Sequence, residues 1–300
     1  MKISLFKILL ITLSVITIII FPFTFTACTY SDNKKIKVYI TETGVIQSLS
    51  IYEYLCGVVA AEIGPSSNIE TLKAQAILAR TFTLDFLENN KSKYNNADIS
   101  NDISEAQAYN KSLINKNIKK AVRETDGLVI KYNNELIKAW FHSNSGGKTA
   151  LYSEVFGIND DLYPYLKSVD TFNKSQLNKW EVSFTKSEVL NTLRNIGQSV
   201  SNISTFTKGE IGDSGRVITF IIGGKEINAN TFRINIGSTK LKSTLIDDII
   251  IQENSITFSG YGYGHGVGLD QEYSIYLANI GYNYNQIINY FFKDIVVEKI

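Results

Sequence analysis

Every second residue from position 260 to 268 is glycine: Gly260-Tyr261-Gly262-Tyr263-Gly264-His265-Gly266-Val267-Gly268. A helix interior disfavours such a run, because each glycine costs about 1 kcal/mol there relative to alanine. Glycine instead reaches positive φ and lets a ligand or another backbone come close. The segment must therefore be a loop between regular elements, either a tight structural crossover or a loop laid against a ligand. His265 stands at its centre. The spacing G-x-G-x-x-G never occurs in it. Ser145-Gly146-Gly147-Lys148-Thr149 ends like a phosphate-binding loop, but the glycine such a loop needs at position 142 is His142. Neither stretch reads as a nucleotide site.

The chain has 300 residues, with 30 Lys and Arg against 29 Asp and Glu, so no basic field favours nucleic acid as a partner. The length suits one large domain or two closely joined ones, with a core that needs no disulfide or metal staple. Residues 1–28 read as a leader outside the fold. Lys2 and Lys7 flank the start of an uncharged apolar run, Ile8 to Phe25, long enough to span a bilayer or to act as a secretory segment. The positive charge on its N-terminal side predicts that the bulk of the chain is exported. Phe25-Thr26-Ala27-Cys28 is similar to a bacterial lipobox, in which Cys28 would carry lipid. An uncleaved span is the other form of the same tether. Cys56 reads as a small buried apolar residue, and the absence of a disulfide framework suits a Gram-positive-type envelope.

Residues 29–36 are polar and read as a linker. Lys37–Ile40 alternates like a strand before a turn at Gly44. Ser50 is placed to cap a helix with Ile51, Leu55, Val58 and Val59 on its apolar face, ending near Gly64-Pro65. Ser67-Asn68 opens a longer helix running through Leu72, Ala76, Ala79 and Phe86. A polar loop over 89–104 leads to a predicted helix from Glu105 to Glu124. A strand pair then covers 127–132 and 135–142 across Asn133-Asn134. Beyond Val169 the pattern changes to a strand at 180–184, a helix at 187–196 and a hairpin over Gly223-Gly224. Residues 175–247 read as a subdomain inserted into a main domain of 37–174 and 248–300. A strand at 255–258 precedes the glycine run, a helix at 274–280 comes after it, and 284–292 is apolar at helical spacing. The expected class is α+β: a mixed helical and β main domain with a smaller α/β insertion and a substrate cleft between them.

Two features point to chemistry. Glu62 follows the small and apolar residues Gly57-Val58-Val59-Ala60-Ala61 and precedes Ile63-Gly64-Pro65. A carboxylate so placed is either a solvated helix end or a partly desolvated acid with a raised pKa. The two histidines of the chain, His142 and His265, both fall in loops of small residues. Zinc is poorly served there, because Ser143, Asn144 and Ser145 are weak ligands and no H-x-x-x-H or C-x-x-C spacing exists.

These segments together resemble the stage II sporulation protein D family. Tyr54-Leu55-Cys56-Gly57-Val58-Val59-Ala60-Ala61-Glu62-Ile63 is similar to its opening motif. Glu70 to Phe82 resembles its "EALKAQAVAARTY" helix. Phe141-His142-Ser143-Asn144-Ser145-Gly146-Gly147-Lys148-Thr149 is similar to its histidine, serine and glycine loop, and Gly260 to Gln271 to "GxGxGHGVGMSQ". The match runs in order over nearly the whole exported chain. Three positions depart from the pattern. Ser145 stands where zinc-binding members carry Cys, Phe156 stands where Trp is usual, and Asp270 with Glu272-Tyr273-Ser274 replaces the usual residues around Gln271.

The resemblance implies a peptidoglycan lytic transglycosylase of forespore engulfment with Glu62 as its catalytic residue. It implies ligand-contacting roles for His142, Ser143, Ser145, Gly146, Thr149, His265 and Gln271. Gln75 and Arg80 are further candidates for hydrogen bonds to the sugar, and Tyr261 and Tyr263 for stacking on it. A lytic transglycosylase needs one carboxylate, not the two of a glycosidase, and Glu62 is the single carboxylate within the opening motif Tyr54 to Ile63. No cofactor is expected to be required, and zinc at His142 is doubtful here. Expected partners are glycan strands, a cell-wall amidase and a membrane component of the engulfment complex at the mother-cell and forespore septum. The alternative is a non-catalytic glycan-binding module that enhances an amidase. A solute-binding lipoprotein would explain neither the Glu62 segment nor the glycine loop.

Overall fold

The computed structural model describes residues 32–157, 159–172 and 179–300. The leader, Cys28 and positions 29–31 of the predicted linker lie outside the described residues. The rest of that linker belongs to the fold. Asp32 is buried against Arg80, and Lys35–Ile40 is a strand pairing antiparallel with Val45–Ser50 and parallel with Ile99–Ser100. The polar composition of 29–36 hid a buried ion pair.

Ser50 closes a capping box with Glu53 at the start of the helix Ile51–Glu62, and Asn68 caps Ile69–Asn89. Each side-chain oxygen satisfies a backbone N–H that a helix start would otherwise leave unpaired. These two helices pack on each other and on Lys116–Glu124. The predicted helix over 105–124 starts late, because the Asn115 side chain caps it by accepting from the Ile118 N–H at 2.9 Å. Before it the chain makes only a single turn of 3₁₀-helix, Lys111–Leu113, capped by Asn110. Residues 106–110 run alongside the Glu62 helix instead, and the Asn110 N–H donates to the Gly57 carbonyl at 2.9 Å.

The predicted strand over 135–142 is also two pieces. Glu135–Leu136 pairs with Leu128–Tyr132, which also pairs with Val296–Lys299, whereas Phe141–His142 lies parallel to Leu269–Asp270. Between the pieces Ile137 and Ala139 turn into the core. That core holds Ile77, Leu78, Ile130, Leu166, Val267, Leu277 and Phe291.

A second core is built on Phe184, Phe206, Phe220, Phe232 and Phe258. Its main sheet places Ser255–Gly260 between Ile246–Ile251 and Trp180–Thr185. The sequence pattern puts strand 255–260 in the main domain, yet it is the central strand of the second lobe. The lobes are joined by buried polar contacts. Arg216 donates to the carbonyls of Lys148, at 2.9 Å, and Ser145, and Glu154 accepts from the Ser214 backbone and hydroxyl at 2.9 and 2.6 Å. Among the described residues no helix is long and apolar enough to cross a membrane.

Candidate active site

Glu62 is the last residue of its helix and its side chain is half-buried. Oε1 accepts the Ala108 N–H at 2.9 Å, and Oε2 lies 3.4 Å from Nε2 of Gln271. Burial raises its pKa, and the two hydrogen bonds oppose that shift only in part. The partial negative charge at a helix C-terminus acts in the same direction as burial. No carboxylate is among the groups that shift it. Glu62 is thus an acid primed to keep its proton, positioned by uncharged amides.

Gln271 reaches Glu62 because its helix, Gln271–Asn279, starts three residues before the sequence indicated. Asp270 caps it by accepting the Tyr273 N–H at 2.9 Å. The other oxygen of this buried carboxylate accepts the Ser145 N–H at 2.8 Å and so ties the serine loop to the glycine loop. Burial raises the Asp270 pKa. Gln271 also lies 3.4 Å from Oε1 of Gln75, whose buried Nε2 has no partner in the structure. Tyr109, missed by sequence, covers Gly57 so closely that a Cβ there would overlap its ring. A glycine inside an otherwise regular helix was the available signal for that close approach.

The glycine run is a crossover, and its backbone requires glycine. Gly262, Gly264, Gly266 and Gly268 all have positive φ. At Gly264, with φ of 109°, a Cβ would come within 2.7 Å of the His142 Cβ. Tyr263 exchanges backbone hydrogen bonds with Asn144 at 2.9 and 2.8 Å. The run therefore locks the histidine loop in place.

The predicted residues separate into groups. Glu62, Gln75 and Gln271 come together. Gly146 and Tyr261 line a pocket of about 460 Å³ between the lobes, and Tyr263 is exposed beside it in sequence, with the Lys242 ammonium over its ring. Ser143 is half-buried and its carbonyl accepts the Glu272 N–H. Four further candidates are buried and bonded within the chain. Arg80, 1% exposed, is held by Asp32 through Nε and Nη2. Thr149 is bonded to the backbone of Lys167 and Val169, and Ser145 Oγ lies 2.6 Å from Thr171 Oγ1. His142 is buried with Nδ1 on the Val267 carbonyl at 3.1 Å. In this structure these side chains hold the loops to one another.

Both histidines are neutral at physiological pH. Burial drives His142 well below its ordinary value, with His265 and Arg216 adding to the effect, and drives His265 down to about 3, with Arg233 and Arg216 adding. His265 Nδ1 accepts the Val267 N–H at 3.0 Å. The residues present do not fit zinc. Among the described residues no three His, Cys, Asp or Glu side chains converge, and Ser145 spends its hydroxyl on Thr171.

Fold and site together define a mixed α+β protein that holds a desolvated carboxylate, Glu62, against Gln271, the residue that follows the glycine-rich crossover and Leu269-Asp270. A sequence model of the family described as "Stage II sporulation protein" matches residues 39–132, and a "Domain of unknown function (DUF8618)" matches residues 159–268. The stage II sporulation protein D of Bacillus subtilis is 30% identical over 278 residues, covering 86% of this chain and 77% of that protein. An uncharacterised protein of Brachyspira hyodysenteriae is 28% identical, covering 84% and 67% respectively. The amidase enhancer of Bacillus subtilis is 27% identical, over 79% of this chain and 39% of that longer protein. The chain belongs to the stage II sporulation protein D family.

Proposed function

We propose that this chain cleaves peptidoglycan glycan strands as a lytic transglycosylase in the cell-wall remodelling of sporulation. The observation that carries the reading is Glu62: a desolvated carboxylate of raised pKa held by amides, with no carboxylate among the groups that perturb it. Protonated Glu62 gives its proton to the glycosidic oxygen as the bond from that oxygen to C1 of N-acetylmuramic acid breaks. The resulting carboxylate takes the proton of the C6 hydroxyl as O6 bonds to C1. The 1,6-anhydro ring closes, Glu62 is protonated again, and no water is consumed. General acid–base catalysis of this kind contributes about 10²- to 10⁴-fold. Gln271 and the Ala108 N–H orient the carboxylate.

Residues 1–28 would tether the protein outside the membrane, through lipid on Cys28 or as an uncleaved span. The forespore septum is the setting in which an amidase and a membrane component of an engulfment complex would be its partners. Zinc has no part in this scheme. The test is cleavage of peptide-free glycan strands by the wild type and by Glu62→Gln. A rate at least about 10²-fold lower for the variant is expected, and an unchanged rate would sink the assignment.

A second reading is favoured by the likeness to the amidase enhancer. Here the chain binds glycan without cutting it and stimulates an amidase. Binding without product by the wild type, with amidase stimulation intact in Glu62→Gln, would select it.

A further inference from the structure

We propose that the pocket between the lobes and the aromatic face beside it form a saccharide track, which holds sugar rings of the strand away from the bond being cleaved. Asp170, Phe172 and Tyr261 line the pocket. Phe172 also packs edge-on against two tyrosines of the Gln271–Asn279 helix, with ring centroids 5.0 Å from Tyr273 and 5.6 Å from Tyr276. Those two rings lie 5.4 Å apart, and Tyr290 continues the row 5.5 Å from Tyr273 while its hydroxyl donates to the Asp170 carbonyl at 2.7 Å. Tyr276 is 42% exposed. The other rings of the row are half-buried, and apolar groups gathered at the surface in this way mark a contact surface.

The chemistry selects a carbohydrate. A pyranose offers C–H faces that stack on rings and hydroxyl or N-acetyl N–H edges that donate to a carboxylate. The track supplies both, with Phe172, Tyr261 and Tyr276 for the faces and the exposed Asp170 carboxylate for the edges. Continuity selects the glycan strand. The helix that carries Tyr273 and Tyr276 begins with Gln271, the residue that reaches Glu62. Its cap, Asp270, holds Ser145, and the next residue, Gly146, lines the pocket. Tyr273 and Tyr276 lie round the helix from Gln271, so a strand seated on Glu62 meets them as a second support once it has passed the start of that helix.

The proposal rests on the reading of Glu62 as the cleaving acid, and binding separates the two. Peptide-free strands of alternating N-acetylglucosamine and N-acetylmuramic acid are titrated into the full-length Glu62→Gln chain, and the same variant carrying Tyr276→Ala or Phe172→Ala. Binding at least about tenfold weaker for either added change is expected, with recovery in Tyr276→Trp and an unaltered melting temperature for the exposed Tyr276→Ala. In the Glu62 background, Tyr276→Ala is expected to slow cleavage of long strands more than of a tetrasaccharide. Equal affinity of all variants for the strands overturns the track even if the wild type cleaves. Weakened binding by a wild type that never cleaves leaves the track standing and removes the catalytic reading.

Discussion

At the residue scale the account turns on the proton of Glu62. The folded-state pKa lies above the ordinary carboxyl value, so the acid form persists to higher pH and the alkaline limb of kcat/KM should track its loss. Gln271 lowers that pKa by donating to the carboxylate. Gln271→Leu should therefore move the alkaline limb to higher pH, whereas a purely structural role would lower the rate and leave the limb in place. The same shift has a stability consequence. A raised pKa means that the stability contribution is complete below the unfolded pKa and is lost as pH rises through the folded value. Glu62→Gln should melt above the wild type at about pH 7 and level with it at about pH 3. The desolvation of Glu62 was one of two readings that the small residues before it left open. Its contact with Ala108 was not legible, because 105–124 carries helical spacing throughout and the Asn115 cap that interrupts it acts through a side-chain bond.

At the element scale, two devices hold the site's scaffold and both invite mutation. Arg80 and Asp32 form a buried bidentate pair that clamps the chain before the first strand onto the long helix. Asp32→Ala leaves a buried guanidinium without its carboxylate and should cost about 3–5 kcal/mol by chemical denaturation. Gly264→Ala places a Cβ against His142 in a backbone region that only glycine adopts freely. It should destabilise the fold by about 1–3 kcal/mol and reduce cleavage, because Gly264 packs on His142 and the Asp270 beside it precedes Gln271. The starts of the two long helices could be read directly, since Ser50 and Asn68 are local signals. The start at Gln271 was hidden, because Asp270 stands where the family pattern has a different residue. Arg80, Thr149, Ser145 and His142 are buried and bonded within the chain. Polar residues in a motif can be there to bind the chain to itself, and sequence does not distinguish the two uses.

At the scale of the whole molecule, the mixed α+β class came from the order of helical and alternating segments. The edge of the second lobe did not. Strand 255–260 sits after the segment that reads as an insertion, but its partners are Trp180–Thr185 and Ile246–Ile251, and long-range pairing of this kind leaves no local trace. The lobes meet through Arg216 and Glu154, and the pocket between them adjoins the loops that carry Gly146 and Tyr261. The central claim is that one acid, Glu62, closes an anhydro ring where a glycosidase would add water. Mass spectrometry of peptide-free glycan strands after incubation with the purified protein tests it most directly. The account predicts new ends that are 1,6-anhydro-N-acetylmuramic acid, one water lighter than a hydrolysed end, and predicts their absence with Glu62→Gln. Reducing ends that carry the added water, or intact strands, would contradict it.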